Sequence, residues 1–205
     1  MAGPHGRTDP TDRSPLPRWF YDRPTREVAR DLLGTYLVHA PEGAHPPRVV
    51  RLVETEAYVA GDPANHAYRG PTPRNRTMFR GPGHLYVYRI HQVVCANVTT
   101  RPGEAVLLRA GEPVQGIGSS PQGPGRLCRA MGILHVHDGM DLVDGRITLR
   151  PRIGAPPPIQ STPRVGIRRA ARRPLRFLVP GSPWVSRRPR PRRSSPLPPQ
   201  PGSRS

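Results

Sequence analysis

The sequence predicts an α+β fold, a single compact domain around a curved, mainly antiparallel sheet with short peripheral helices. Three observations favour this class. Strand-like runs of β-branched residues are many and helical patterns are few. Pro/Gly-rich segments separate neighbouring runs as in hairpins, and the order of elements lacks the repeated strand-helix alternation of a doubly wound sheet. At 205 residues, the chain has room for one domain with a core plus some tail.

The first element in chain order is a predicted helix over residues 24–33. Pro24 suits the first turn of a helix, and apolar side chains recur from Val28 to Leu33 at helical spacing. Gly34 can then end the helix in a left-handed conformation.

The predicted strands follow this helix. Residues 36–39 and 49–58 are β-branched runs on either side of a Pro/Gly loop, which is the pattern of a hairpin. Further strands are predicted at 85–90, 93–98, 105–110, 147–149, 165–167 and 177–179, and a short helix at 126–131. No internal repeat is present, so these elements describe one domain.

Composition changes at both ends of the chain. Residues 1–17 are rich in Pro, Gly, Asp and Arg and predict a disordered N-terminal lead-in. Residues 18–186 form the predicted domain. Residues 187–205 hold Arg, Pro and Ser with almost nothing to bury, and predict a disordered basic tail. The tail is either a nonspecific phosphate anchor or a GC-biased extension with no role.

The charge of the chain is strongly unbalanced. There are 32 basic residues against 14 acidic ones, a net charge of +18. A surplus of this size indicates a polyanionic partner, above all a phosphate backbone, and a membrane surface is the weaker candidate. All the basic residues are arginine, which GC-rich coding can also explain. Without lysine, Schiff-base catalysis lacks its usual amine unless the N-terminus serves.

Location is predicted from what the sequence lacks. No run approaches the roughly 18 apolar residues of a spanning helix, and the first residues lack the apolar core of a signal peptide. Cys95 and Cys128 are too few for a disulfide framework, in agreement with a reducing compartment. We therefore expect a cytoplasmic protein.

Residues 52–58 concentrate carboxylates and a phenol. In a regular strand, Leu52, Glu54, Glu56 and Tyr58 project from one face. Such a face is poorly suited to a core. It fits an acid/base site, but an exposed edge strand would carry it equally well, and alternation alone favours the edge strand.

Two other clusters have simpler explanations. Tyr86 and Tyr88 would share a strand face, as ordinary sheet aromatics do. His135 and His137 would lie on one strand face, as a pair of metal ligands could, but they lack Cys partners or a second cluster. A hairpin turn at Asp138–Gly139 explains them better, so we expect no metal site.

The motifs gain meaning when they are read together. The main blocks, in chain order, are Val53-Glu-Thr-Glu-Ala-Tyr58, Asn65-His66-Ala67, Thr72-Pro-Arg-Asn75, Leu85-Tyr-Val-Tyr88, Cys95-Ala-Asn97, Ala105–Ala110, Gly123–Ala130, Arg164-Val-Gly-Ile167, Pro174-Leu-Arg-Phe177 and Pro180–Ser186. In order and spacing this set resembles the alkyladenine (3-methyladenine) DNA glycosylase family. The resemblance covers about residues 19–186, nearly the whole predicted domain.

The resemblance implies a base-excision enzyme that flips an alkylated purine out of duplex DNA and hydrolyses its N-glycosidic bond with an activated water, without cutting the strand. Glu56 matches the family's general base, ahead of Glu54. Arg109 matches the arginine that helps hold the catalytic water. No metal or organic cofactor is implied. The expected partner is damaged double-stranded DNA, and the expected state is a monomer in the bacterial cytoplasm, associated with the nucleoid, with no obligate protein partner.

The same resemblance assigns the base pocket. Tyr58, His66 and Tyr88 match the aromatic residues that hold the flipped base, since an electron-poor purine stacks well on π-faces. His66 is also a candidate hydrogen-bond donor to the sugar or its phosphate. Asn97 lies where the family screens the edge of the base.

Two departures from the family pattern keep other interpretations open. His91 stands where the family inserts a tyrosine into the gap left by the flipped base, and Gln92 replaces a glycine. The connection 113–123 is also shorter than in the family. A degenerate member that binds damaged DNA without turnover is therefore the alternative. A basic RNA-binding protein of ribosomal type would explain the charge but not the site residues.

Overall fold

A computed structural model describes residues 9–43, 46–90 and 92–186 of the chain. The strands are β1 (Tyr36–His39), β2 (Arg48–Tyr58), β3 (Leu85–Ile90), β4 (Val93–Thr99), β5 (Ala105–Gln115), β6 (Ile147–Arg150), β7 (Gln160–Thr162) and β8 (Arg176–Leu178). The α-helices are α1 (Arg18–Tyr21), α2 (Thr25–Asp31) and α3 (Pro124–Met131), and 3₁₀ helices lie at Pro10–Asp12, Arg76–Phe79 and His135–His137. A single antiparallel sheet with short helices around it confirms the predicted α+β class.

Strand β2 lies at the centre of the sheet. The strand order is β3-β4-β5-β2-β1-β6, and all pairings are antiparallel. On the side away from β5, the first half of β2 pairs with β1, while Glu54 to Glu56 pair with β8. β7 continues the sheet beyond β8. The second half of β2 thus meets residues from a distant part of the chain.

Most of the predicted elements are confirmed. The helix predicted at 24–33 contains α2, and the predicted hairpin is β1 with β2. The predictions at 85–90, 93–98, 105–110, 126–131, 147–149 and 177–179 correspond to β3, β4, β5, α3, β6 and β8. β5 is longer than predicted because it continues beside β2 to Gln115. β7 was missed, since Gln-Ser-Thr has no apolar alternation to mark a strand.

The strand predicted at 165–167 was wrong. Val165 donates its backbone N–H to the Glu56 carboxylate at 2.8 Å instead of to a neighbouring strand. Gly166 has a φ of +79°, a left-handed conformation that ends an extended run. The segment therefore bends around a side chain of β2.

The interpretation of residues 135–139 was also wrong. His135–His137 form a 3₁₀ helix, not a strand that enters a hairpin. The Asp138 carboxylate accepts hydrogen bonds from the backbone N–H of Val87 and from Thr77 Oγ1, both at 2.9 Å. Asp138 thus ties β3 to the 3₁₀ helix at Arg76–Phe79, a tertiary role that local turn chemistry does not reveal.

A pair of compensating irregularities interrupts β2 beside the carboxylates. The pairing of β2 with β5 shifts between Leu52 and Glu54, and it shifts back between Glu54 and Thr55. Such bulges break the regular alternation of side chains. Leu52 consequently packs in the main core together with Ala57. The prediction that Leu52 shares a face with the carboxylates was wrong.

The helices cover the core side of the sheet. α2 lies against β2, where Thr55 Oγ1 donates to the carbonyl of Ala29 at 2.7 Å, and α3 packs against β4 and β5. Leu16 is buried in the same core, so part of the predicted lead-in belongs to the folded structure. Residues 1–8 and 187–205 lie outside the described residues, and the predicted domain bounds stay a prediction.

Candidate active site

A cavity of about 210 Å³ opens beside the second half of β2. Side chains of β2, β3, β4 and β5 form its wall, together with the β2–β3 loop and the bend at 165–167. The structure places five of the predicted site residues in this wall: Tyr58, His66, Tyr88, Asn97 and Arg109. Glu56 lies behind the wall and contacts two of these five.

Glu56 is fully buried, but all of its partners face the cavity. Tyr58 Oη donates a hydrogen bond to Oε2 at 3.0 Å, and Val165 N–H donates to Oε1 at 2.8 Å. Arg109 Nη1 lies 3.3 Å from Oε1. The carboxylate is therefore withdrawn from bulk solvent and adjacent to the space that a ligand would occupy.

Glu54 is equally buried, but its two carboxylate oxygens already bind side-chain and backbone groups of the protein. Arg109 Nε lies 3.1 Å and Arg176 Nε 2.5 Å from Oε1. Ser186 donates to Glu54 twice, from its backbone N–H at 2.7 Å and from Oγ at 2.9 Å. Arg109 bridges the two carboxylates, so Glu54 fixes the arginine that approaches Glu56. This geometry favours Glu56 over Glu54 as the chemical group.

The rings of the cavity are uncharged. His66 lies edge-on to Tyr88, with ring centroids 4.3 Å apart, and its Nδ1 is 3.1 Å from Tyr86 Oη. Burial lowers the pKa of His66 below its ordinary value of 6.5, so the imidazole is neutral at neutral pH. Burial also raises the pKa of the Tyr58 and Tyr88 phenols. The cavity thus offers neutral aromatic surfaces to a ligand.

The loop that carries His66 is held by two buried asparagines to which sequence analysis gave no role. Asn65 Nδ2 donates to the carbonyls of Val59 (3.0 Å) and Gly103 (2.9 Å). Asn75 Nδ2 donates to the carbonyl of His66 itself at 3.0 Å. An Asn in a loop beside a site residue is the signal that could have found them, because its amide can replace missing backbone partners.

Strand β4 contributes two neighbouring side chains of one face to the cavity wall. Asn97 pairs across the sheet with Tyr86, and its Nδ2 donates to the Tyr86 carbonyl at 3.1 Å. Cys95 lies opposite Tyr88, and burial raises the pKa of its thiol. The sheet thereby fixes the polar edge of the cavity, including the residue predicted to screen a base.

Four further residues of the site were missed as functional positions. They are Arg164, Val165, Arg176 and Ser186, and each contacts β2 across more than 100 positions of sequence. Their only signal was membership of the motif blocks. Local pattern carries no information on contacts of that range.

The predicted intercalating residue, His91, lies outside the described residues. Its neighbours Ile90 and Gln92 are exposed, and Ile90 reaches the cavity wall. A second cavity, of about 600 Å³, adjoins the first at Arg109 and is lined by Gln92 and the start of α3. The 113–123 connection leads into α3 beside this second cavity, and its shortness relative to the family stays a prediction.

Over the three described ranges, no group of three or more His, Cys, Asp or Glu side chains is arranged to hold a metal ion. Within the same ranges, no helix combines the length and apolar character needed to cross a membrane. The buried charges of the site are paired with each other instead, Glu54 and Glu56 with Arg109, and Asp62 with Arg164.

Comparison with known proteins identifies the class of protein that carries this fold and cavity. The family model described as methylpurine-DNA glycosylase (MPG) matches residues 19–183. The chain therefore belongs to the methylpurine-DNA glycosylase family, which confirms the resemblance drawn from its motifs.

Individual relatives carry a more particular name, "Putative 3-methyladenine DNA glycosylase". One from Methanoculleus marisnigri is 47% identical, over 84% of this chain and 99% of the relative. One from Anaeromyxobacter dehalogenans (strain 2CP-1) is 49% identical, over 85% of this chain and 86% of the relative. A third, from Burkholderia lata, is 42% identical over 88% of this chain and 96% of the relative.

Proposed function

We propose that this protein is a base-excision DNA repair glycosylase that flips alkylated purines of the 3-methyladenine type out of duplex DNA and hydrolyses the N-glycosidic bond. A single observation carries the proposal. The fully buried carboxylate of Glu56 lies directly behind a cavity walled by Tyr58, His66 and Tyr88. The names of the relatives support the same substrate class.

The chemistry needs little beyond a placed water. Alkylation at a ring nitrogen makes the purine cationic and a good leaving group, so the enzyme has to activate water at the sugar carbon. Glu56 acts as general base, and its negative charge also stabilises the sugar as it becomes oxocarbenium-like. Arg109, fixed by Glu54, helps to hold the water. Because the attacking group is water rather than an amine, the strand stays intact.

Neutral rings suit a cationic base. Tyr58, His66 and Tyr88 attract the electron-poor purine through their π-faces, and the lowered pKa of His66 keeps a second positive charge out of the cavity. Asn97 screens the edge of the base. Stacking inside the cavity offsets part of the cost of unstacking the nucleotide, about a few kcal/mol.

Duplex DNA approaches along a cationic cleft. A cavity of about 690 Å³ shares His66, Tyr86 and Tyr88 with the base cavity and is also lined by Arg74, Arg76 and Arg89. Such guanidinium groups contact phosphates. We propose that one chain suffices, that His91 fills the gap left by the base, and that the enzyme works on the nucleoid in the bacterial cytoplasm.

The decisive experiment compares Glu56→Gln with wild type on duplex DNA that contains 3-methyladenine. Release of the base should fall by about 10²–10⁴-fold, the usual contribution of a general base, while binding of the same duplex is largely retained. Glu112→Gln, on the same sheet but in a solvent-accessible pair with Arg51, is the matched control and should release base normally.

Two outcomes would contradict this assignment. Unchanged release by Glu56→Gln would exclude Glu56 as the base. If wild type binds the lesion duplex and releases nothing, the protein is a binding member of the family without turnover. A competition between abasic duplex DNA and RNA addresses the remaining alternative, because a glycosylase should strongly prefer the abasic duplex.

A further inference from the structure

A second buried ion pair lies behind the cavity wall. Arg164 Nη1 is 2.6 Å from Asp62 Oδ2, and both side chains have 0% exposure. The guanidinium lies over the ring of Tyr58, with Cζ 4.6 Å from the ring centroid. Arg164 does not line the cavity whereas Tyr58 does, so the guanidinium occupies the face of the ring that is turned away from the ligand space.

The surroundings of Arg164 are poor in hydrogen-bond acceptors. Nη1 also donates to the carbonyl of Ala57 at 3.0 Å. Its Nε and Nη2 atoms are buried and have no hydrogen-bond partner among the described residues. A charge buried in this way is costly unless it is well paired. Asp62 is the only carboxylate within ion-pair distance of Arg164 in the described ranges.

The pair also connects two walls of the site. Asp62 Oδ1 accepts the backbone N–H of Ala64 at 3.0 Å, which fixes the loop just before His66. Arg164 directly precedes Val165, whose N–H holds Glu56. Substitution of Asp62 or Arg164 should therefore change the charge next to the Tyr58 ring, which lines the cavity.

We propose that Asp62 and Arg164 form a positioning pair that sets the preference of the site for cationic over neutral bases. Arg164 fixes the Tyr58 ring from behind. Asp62 neutralises the guanidinium, so that the other face of the ring stays attractive to a positively charged base. The inference rests on the proposed glycosylase function and adds a determinant of its substrate class.

Removal of each charge of the pair by itself should change the preference for cationic bases in opposite directions. A ring face attracts a cation through its quadrupole, but an uncompensated guanidinium on the far face repels that cation across the ring. Asp62→Asn leaves the Arg164 guanidinium without its carboxylate and should slow the release of cationic bases relative to neutral ones. Arg164→Gln leaves the Asp62 carboxylate with only Arg173, a partly exposed guanidinium 3.9 Å away, and should favour cationic bases by a smaller factor. The double variant has neither charge and should restore the wild-type preference.

The experiment measures single-turnover release of 7-methylguanine, which is cationic in DNA, and of neutral hypoxanthine from otherwise identical duplexes. We expect the ratio of the two rates to fall about tenfold in Asp62→Asn, to rise in Arg164→Gln, and to return in the double variant. Asp141→Asn is the matched control, since it removes the carboxylate of the half-exposed Arg18 pair and should not change the ratio. Circular dichroism checks that each variant is folded.

Failure of the inference is distinguishable from failure of the proposed function. If wild type releases bases but the two single variants shift the ratio in the same direction, or slow both substrates equally, the pair is only structural and the inference is wrong. If wild type releases neither base, the glycosylase proposal fails. The pair is then tested by fluorescence anisotropy with the same two duplexes, where an unchanged ratio of affinities in Asp62→Asn would overturn it. Should Asp62→Asn fail to fold, Arg164→Gln and the double variant still test the inference, because the ratio of rates should rise in the first and return to the wild-type value in the second.

Discussion

The two halves of β2 have different surroundings although they are one strand. The first half pairs with β1 and buries apolar residues such as Leu52 in the main core. The second half pairs with β8 and buries two carboxylates, Glu54 and Glu56, among arginines and rings. The bulges at Glu54 separate the halves. A local change of register thus lets one strand support the fold and carry a polar site.

Among substitutions in β2, Glu54→Gln should have the largest effect. The substitution leaves Arg176 buried without a carboxylate and leaves Arg109 with Glu56 alone, and loss of one partner of a buried ion pair costs about 3–5 kcal/mol. Urea unfolding should reveal a loss of this size. Glu56→Gln should be less destabilising while it removes activity, and equal destabilisation by both would contradict the division of roles.

Leu52→Ala tests the other half of the strand. Deletion of a fully buried leucine side chain should reduce the free energy of unfolding by about 3 kcal/mol. The rate of base release per folded molecule should stay near wild type, because Leu52 packs in the core and does not line the cavity. A selective fall in that rate would mean that the halves are coupled more tightly than the bulge implies.

Tyr58→Phe tests the hydrogen bond that links two residues of the second half of β2. The change removes the hydrogen bond from Tyr58 Oη to Glu56 but keeps the ring. We expect the activation free energy of base release to rise by about 1 kcal/mol, which lowers the rate roughly fivefold. Burial places the pKa of this phenol far above neutrality. The pH profile of Tyr58→Phe should therefore match that of wild type from neutral pH upwards, whereas the rate is lower throughout.

The smallest expected effect is the pH dependence due to His66. Its pKa is depressed in the folded state, so its contribution to stability is present above the ordinary value of 6.5 and is lost as pH falls through the lower, folded value. Thermal unfolding of His66→Gln should lose less stability on acidification than wild type, by less than about 1 kcal/mol. Burial also lowers the pKa of His137, which adds a pH dependence of the same sign. A variant that combines His66→Gln with His137→Gln should therefore show the smallest change of stability with pH.

Local sequence patterns predicted most of the secondary structure but few of the long-range contacts that build the candidate site. β1 and β3 have the predicted bounds because their β-branched and aromatic runs are uninterrupted. Alternation failed at Leu52, where a bulge intervenes, because alternation assumes regular pairing. It also failed at 165–167, where backbone groups bind a side chain rather than another strand. The candidate site residues came from the family resemblance, whereas the role of Arg164 required coordinates.

The dependence of the carboxylates on Val165, Arg176 and Ser186 has a consequence for biosynthesis. These partners are synthesised more than 100 residues after the carboxylates that they contact. A nascent or truncated chain that ends before them keeps Arg109 beside the two carboxylates but lacks Arg176 and the backbone N–H donors of Val165 and Ser186. The two buried carboxylates therefore acquire their full set of partners only when translation has reached Ser186.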